Sequence, residues 1–329
     1  MLRKLSAIAA LLTGALASAP AAAATYSAFY VFGDSLSDVG NVYIATGGAE
    51  PASPPYFYGE FSNGPNWVED LSVKLGLGVV LPSSAPLNGT DYAWGGATTG
   101  LPATDNPAPT VPNGYQQVMG FLAARSGSAP SSALYTVTLG GNDLSNILTS
   151  FLGGGVSGSV ASTEAMQAAA AEAFDISRLV AAGAKTIVVP FVGDIGKTPG
   201  VIALGATAVA EGTFLTSTYN HWLDTDLSGV SGVHFLNTIA LLDAVEANPS
   251  KYGFADLTDP CYVGPYTGGG TVCANPDAYL FWDTIHPSAA ADAFIADAAA
   301  AMLAPSPRPG AGLFSLGLLL LIGLKNKRA

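Results

Sequence analysis

Five short apolar runs, rich in β-branched and aromatic residues and bounded by glycine, punctuate the chain. They lie at Ala28 to Phe32, around Tyr92 to Trp94, at Leu134 to Leu139, at Thr186 to Val192 and at Val233 to Leu236. Each has the length and branching of a buried strand. Longer segments with helical spacing of apolar positions separate or follow them: Asn66 to Leu75, Gly114 to Ala124, Thr163 to Ala182, about Leu204 to Leu227, Thr238 to Ala247, and Ser288 to Leu303 after Pro287. Strands alternating with helices predict an α/β fold, a parallel sheet covered on both faces. Ligands of such sheets bind beyond the carboxyl ends of the strands, so the residues that follow each run matter most.

The first run leads into Gly33-Asp34-Ser35-Leu36, which lifts a serine off a strand end. A serine hydroxyl is a weak nucleophile until a base takes its proton and a third group orients that base. Asp283-Thr284-Ile285-His286, just before Pro287, offers a carboxylate and an imidazole at close spacing. Ser35, His286 and Asp283 are therefore the candidate catalytic residues. Such chemistry also needs donors for a developing oxyanion. The segments Tyr92 to Thr98 and Thr138 to Asp143 provide glycine N–H groups and an Asn amide at two further strand ends. Asp38, Asn41 and Asp143 read as structural, tying these loops through side-chain to backbone bonds. His221 falls in a helical stretch and His234 in a strand, where packing or surface roles are expected.

In this order, these four segments resemble the GDSL family of serine esterases and lipases, also called SGNH hydrolases, from Ala28 to about Leu303. Gly59 to Trp67 and Gly193 to Pro199 resemble further stretches of its larger members. The resemblance implies a three-layer αβα sandwich with a central parallel sheet in flavodoxin-like order. It also implies an oxyanion hole made by the N–H groups of Ser35 and Gly96 with the side chain of Asn142, and needs no cofactor. Glu60 stands where the family pattern leads one to expect Arg; lying outside the four blocks, it implies altered surface contacts and unaltered chemistry.

The two ends read differently from the body. Arg3 and Lys4, apolar Leu5 to Ala19 and the small run Ala21 to Ala24 form a secretory signal peptide pattern covering residues 1–24. After a 25–304 hydrolase domain, residues 305–329 comprise a Pro-rich piece, apolar Ala311 to Leu324 and a basic end. That tail resembles a PEP-CTERM sorting signal, which implies export and sorting machinery as a partner; its apolar part is shorter than the roughly 20 residues of a comfortable span. All 24 acidic residues but only 6 of the 12 basic ones fall in the body, a formal charge of −18. A surface so acidic is unsuited to nucleic acid.

Cys261 and Cys273 form an even, close pair, expected as a disulfide in an exported chain. A metal site is the rival reading, but the segment holds no further Cys and no His. Gly193 to Thr198 fails as a phosphate loop because Phe191 stands where its first glycine is required, and no Gly-x-Ser-x-Gly elbow occurs. The expected activity is hydrolysis of a small-molecule or lipid ester. An acyltransferase, a polysaccharide O-deacetylase or a non-catalytic surface protein are the alternatives. The Pro102 to Pro112 and Gly153 to Gly158 segments read as surface connections.

Overall fold

The structure is a computed structural model that describes residues 26–84, 89–100 and 111–304. The leader, the tail and almost all of the Pro102 to Pro112 loop lie outside the described residues.

A four-stranded parallel sheet runs in the order β1 (Phe29–Gly33), β2 (Leu134–Thr138), β3 (Thr186–Pro190), β4 (Val233–Leu236). β1 and β2 pair from Phe29 with Leu134 to Gly33 with Thr138. Every residue of both strands is buried, as expected where helices cover two faces. The helices are α1 (Asn41–Ala45), α2 (Trp67–Leu75), α3 (Gly114–Ala124), α4 (Gly141–Leu152), α5 (Gly158–Ala182), α6 (Pro199–Ile202), α7 (Ala206–Leu227), α8 (Thr238–Ala247) and α9 (Ala289–Leu303).

Strand alternation sorts the core into two layers. Tyr30, Phe32, Tyr135, Val137, Ile187 and Val189 pack with Phe121, Leu144, Ile176 and Leu215 from α3, α4, α5 and α7. Phe29, Val31, Leu134 and Val188 point the other way, to Trp67, Val68 and Leu71 of α2 and Ala296 and Ala299 of α9. Full burial of each large apolar side chain stabilises the fold by about 1.5–3 kcal/mol. The result is the three-layer sandwich.

The run around Tyr92 to Trp94 is not a regular strand. Asp91 makes an isolated parallel bridge to Val31, and the N–H groups of Tyr92 and Trp94 donate to the carbonyls of Val31 and Gly33 at 2.7 and 3.0 Å. This extended segment lies outside β1, so the edge order is that of a flavodoxin-like sheet whose second strand has shrunk to a bridge. Two helices also differ from expectation. Ser157 caps α5 by accepting the Val160 N–H, starting the helix at Gly158. The segment expected from about Leu204 to Leu227 is α7, and α6 is a separate short helix before it. Gly141–Leu152 is a helix that is not among those expected from the sequence.

Beyond the sandwich, β5 (Asp256–Pro260) pairs with β8 (Tyr279–Phe281), and β6 (Tyr262–Val263) forms a small antiparallel pair with β7 (Thr271–Val272). The Cys261–Cys273 disulfide ties this pair together just upstream of Asp283.

Candidate active site

Ser35 follows β1 directly, in a turn held by its neighbours. The Leu36 N–H donates to Asp34 Oδ1 at 3.0 Å, and those of Ser37 and Asp38 donate to the Asp34 carbonyl. Gln117, on α3, grips the strand end just before it: the Gly33 N–H donates to Gln117 Oε1, and Gln117 Nε2 donates to the Gly33 carbonyl, both at 2.9 Å. An amide side chain thus adds to the pairing that Thr138 and the Trp94 N–H already give the strand end. Asp38 accepts the N–H groups of Gly40, Asn41 and Val42 and, across the site, that of Gly95 at 2.8 Å. Asn41 donates to the carbonyls of Asp91 and Ala93. These bonds stitch the serine loop to the Gly95-Gly96 loop, the structural role expected of Asp38 and Asn41.

Asp283 and His286 arrive from the other end of the chain. The Ile285 and His286 N–H groups both donate to Asp283 Oδ1 at 2.8 Å, closing a tight turn. The Trp282 N–H donates to the His286 carbonyl, and Ser288, whose hydroxyl accepts the Ala291 N–H, starts α9 immediately after. His286 Nδ1 lies 2.8 Å from Asp283 Oδ2, and its Nε2 lies 2.7 Å from Ser35 Oγ. Serine and imidazole are 251 positions apart in sequence and in hydrogen-bond contact in the fold.

Burial by itself would push the Asp283 carboxyl up. The adjacent His286 imidazole and the N–H donors of His286 and Ile285 outweigh it and hold the group below the ordinary carboxylate range. An ionised Asp283 accepts a hydrogen bond from Nδ1–H, so the lone pair of Nε2 faces the serine O–H. Asp34 differs: burial dominates and pushes it up to about 7, opposed by the Leu36 N–H and by His286.

Gly96 and Asn142 complete the arrangement. Gly96 has φ +83°, a backbone that side chains rarely adopt, and it is exposed at the site. No acceptor among the described residues takes the N–H of Ser35 or Gly96. Asn142 sits in the first turn of α4, entered through Gly140 at φ +97°. Its Nδ2 donates to the Ala97 carbonyl at 2.9 Å and lies 3.4 Å from Asp34 Oδ2, so its amide bridges the neighbours of Gly96 and Ser35. Asp143 accepts the N–H and O–H of Thr99, both at 2.9 Å, and anchors α4 to the Gly96 loop. Serine, imidazole and carboxylate form a continuous hydrogen-bonded chain, an arrangement that can activate a hydroxyl as a nucleophile.

Three residues escaped the sequence reading. Gln117 has been described. Tyr56 donates its O–H to Asp283 Oδ2 at 2.8 Å, and Phe61 lies beside the His286 ring with centroids 5.1 Å apart. The expectation for Glu60 is corrected: it is buried, not a surface residue. The turn from Phe57 to Ser62 folds it inward, where it accepts the Asn66 N–H at 2.8 Å. His221 and His234 are exposed. A cavity of about 690 Å³ lined by Tyr92, Trp94, Gln117 and Arg125 lies beside β1, and neither Ser35 nor His286 lines it.

The fold and this site define a class, the serine ester hydrolases. The profile of the GDSL-like lipase/acylhydrolase family matches residues 29–299, and the chain belongs to that family. It is 30% identical to a GDSL esterase/lipase of Arabidopsis thaliana, over 81% of this chain and 84% of that one. It is 31% identical to the esterase EstA of Pseudomonas aeruginosa over 88% of its own length, and spans only 49% of that longer protein. A phosphatidylcholine-sterol acyltransferase of Aeromonas hydrophila is 28% identical over 73% of this chain and 67% of its own.

Proposed function

We propose that this chain is an exported carboxylic ester hydrolase working through an acyl-enzyme on Ser35. The observation that carries the reading is the unbroken hydrogen-bond chain from Ser35 Oγ through both nitrogens of His286 to Asp283. In this reading Ser35 Oγ attacks the acyl carbonyl while His286 Nε2 takes its proton. The N–H groups of Ser35 and Gly96 and the Asn142 amide hold the oxyanion; the longer of the two Asn142 contacts, to Asp34, is the one given up. His286 then returns the proton to the leaving alcohol. Water, deprotonated by the same nitrogen, releases the acid and restores the serine.

Ser35→Ala and His286→Ala should each abolish hydrolysis of a short p-nitrophenyl ester without unfolding the protein, and a fluorophosphonate probe should label the parent but not Ser35→Ala. Full activity in either variant sinks the assignment. The acyltransferase relative supports a second reading, in which a lipid or sugar hydroxyl replaces water in deacylation. The partition of product between free acid and new ester, with an alcohol acceptor present, separates the two.

Export is inferred from the leader-like residues 1–24 and the close disulfide, which suits an oxidising compartment. The domain is then residues 25–304, followed by a 305–329 tail recognised by PEP-CTERM-type sorting machinery. The mass of the chain recovered from the exporting cell tests both ends.

A further inference from the structure

Among the described residues Asp283 accepts from one side chain outside the serine–imidazole–carboxylate chain, the Tyr56 hydroxyl. We propose that Tyr56 is a positioning residue that sets the strength of the His286 base by holding Oδ2 of Asp283. The proposal rests on the roles given above to Ser35, His286 and Asp283.

Oδ2 accepts from two donors at once, Tyr56 O–H and His286 Nδ1–H, each at 2.8 Å. Oδ1 takes the two backbone N–H groups of the turn and lies 3.0 Å from Nδ1. A second donor on the oxygen that faces the imidazole disperses its charge, so the carboxylate stabilises an imidazolium less. Tyr56 thereby lets the ring lose its proton at lower pH than the carboxylate alone would. A free base is then available over a wider acid range.

The hydroxyl has no freedom to do otherwise. Tyr56 is 2% exposed, and its ring packs edge-on against Tyr262 and Trp282 with centroids 5.4 and 6.2 Å apart. Phe61 and Tyr266 close the remaining sides. Burial, then the Asp283 charge, drives its ionisation far above the ordinary phenol range, so it remains an O–H donor. The other titratable groups facing the pair are Asp34, which acts on His286, Tyr266, which burial and Asp283 also keep protonated, and Tyr262, which packs against the Tyr56 ring. Burial pushes the Asp34 carboxyl up to about 7, and it contributes in parent and variant alike.

Tyr56→Phe keeps the ring and removes the donor. The acid limb of kcat/KM on a short ester should move to higher pH by about half a unit or more, since a bond to a charged group is worth more than one pH unit in all. KM should change little, and the plateau should fall less than tenfold. The NMR titration of the His286 ring protons should move with the limb. Tyr262→Phe is the control: its hydroxyl, in the same aromatic cluster, donates to the Pro265 carbonyl instead. If Tyr56→Phe superimposes on the parent, or Tyr262→Phe moves both readouts equally, the proposal is overturned. Should Tyr56→Phe fail to fold, 2,3-difluorotyrosine at position 56, a stronger donor, must move the limb to lower pH, and an unmoved limb overturns the proposal. The ring titration needs no turnover, so it decides the role of Tyr56 even if Ser35→Ala retains activity and the catalytic reading fails.

Discussion

Asp283 and Glu60 are buried to the same degree, 4% and 3% exposed, and they end in opposite charge states. Asp283 meets an imidazole, two backbone N–H groups and a phenol, and stays ionised. Glu60 accepts one N–H, from Asn66, and otherwise faces acids: it shares a hydrogen bond with Glu69 and feels Asp292. Burial first, and then those neighbours, holds its proton in place. Nearby, Glu69 Oε2 and Asp292 Oδ1 have no hydrogen-bond partner. Dryness pushes both carboxyls up, and at Asp283 the adjacent imidazole, with the backbone N–H groups, reverses the push. Backbone donors alone do not: Asp38 accepts four N–H groups and burial still pushes it up to about 6.

The largest test of that contrast is to make Asp283 neutral. Asp283→Asn should preserve the shape of the turn while presenting the wrong partner to Nδ1, and should lower kcat by about 10⁴-fold. A loss under tenfold would show that the carboxylate charge is dispensable. A smaller effect should follow from removing the wall around Asp283 while sparing Glu60. Cys261→Ser with Cys273→Ser opens the 12-residue bridge beside Tyr262, with a nominal cost of about 3 kcal/mol in the chain-entropy model. The thermal midpoint should drop by several degrees, and an unchanged midpoint would show that the hairpin is held without the cross-link.

The smallest effect isolates Glu60. Its proton is held more tightly folded than unfolded, so its stabilising contribution is complete below the ordinary Glu range and fades as pH rises. Asp283 has the opposite sign: its contribution is present above the unfolded Asp value and is lost as pH falls. Glu60→Gln, which stays neutral, should therefore flatten the decline of thermal midpoint between about pH 5 and pH 9. Calorimetry giving an equal or steeper decline than the parent would contradict a protonated Glu60.

How much of this was legible depended on where a residue's partners lie. Ser35, Asp283 and His286 could be picked out because each sits in a short block of glycine or turn residues, and the fold brings the three into contact. The strands β1 and β4 could be read because their apolar runs end at turn residues. Tyr56 and Gln117 could not, since their partners stand 227 and 84 positions away and nothing local marks either side chain. Helix α4 was missed for a different reason. Leu144, Ile147, Leu148 and Phe151 carry helical spacing, but Gly140-Gly141-Asn142-Asp143 has the composition of a turn and masked it. Glu60 misled because a lone carboxylate in a polar stretch is ordinarily solvated, and only the Asn66 N–H and the packing of α2 and α9 draw it inside.

The bonds that join the separate loops of the site are long in sequence, whereas Asp283 and His286 stand only three positions apart. Gly33 to Gln117 spans 84 positions, Asp38 to Gly95 spans 57, Tyr56 to Asp283 spans 227 and Ser35 to His286 spans 251. Loop closure on that scale is costly until most of the chain is already ordered. Turnover is consequently a reporter of completed folding: truncated pieces and partly assembled intermediates hold the motif yet lack the geometry. Recovery of esterase activity during refolding should trail the recovery of helical signal.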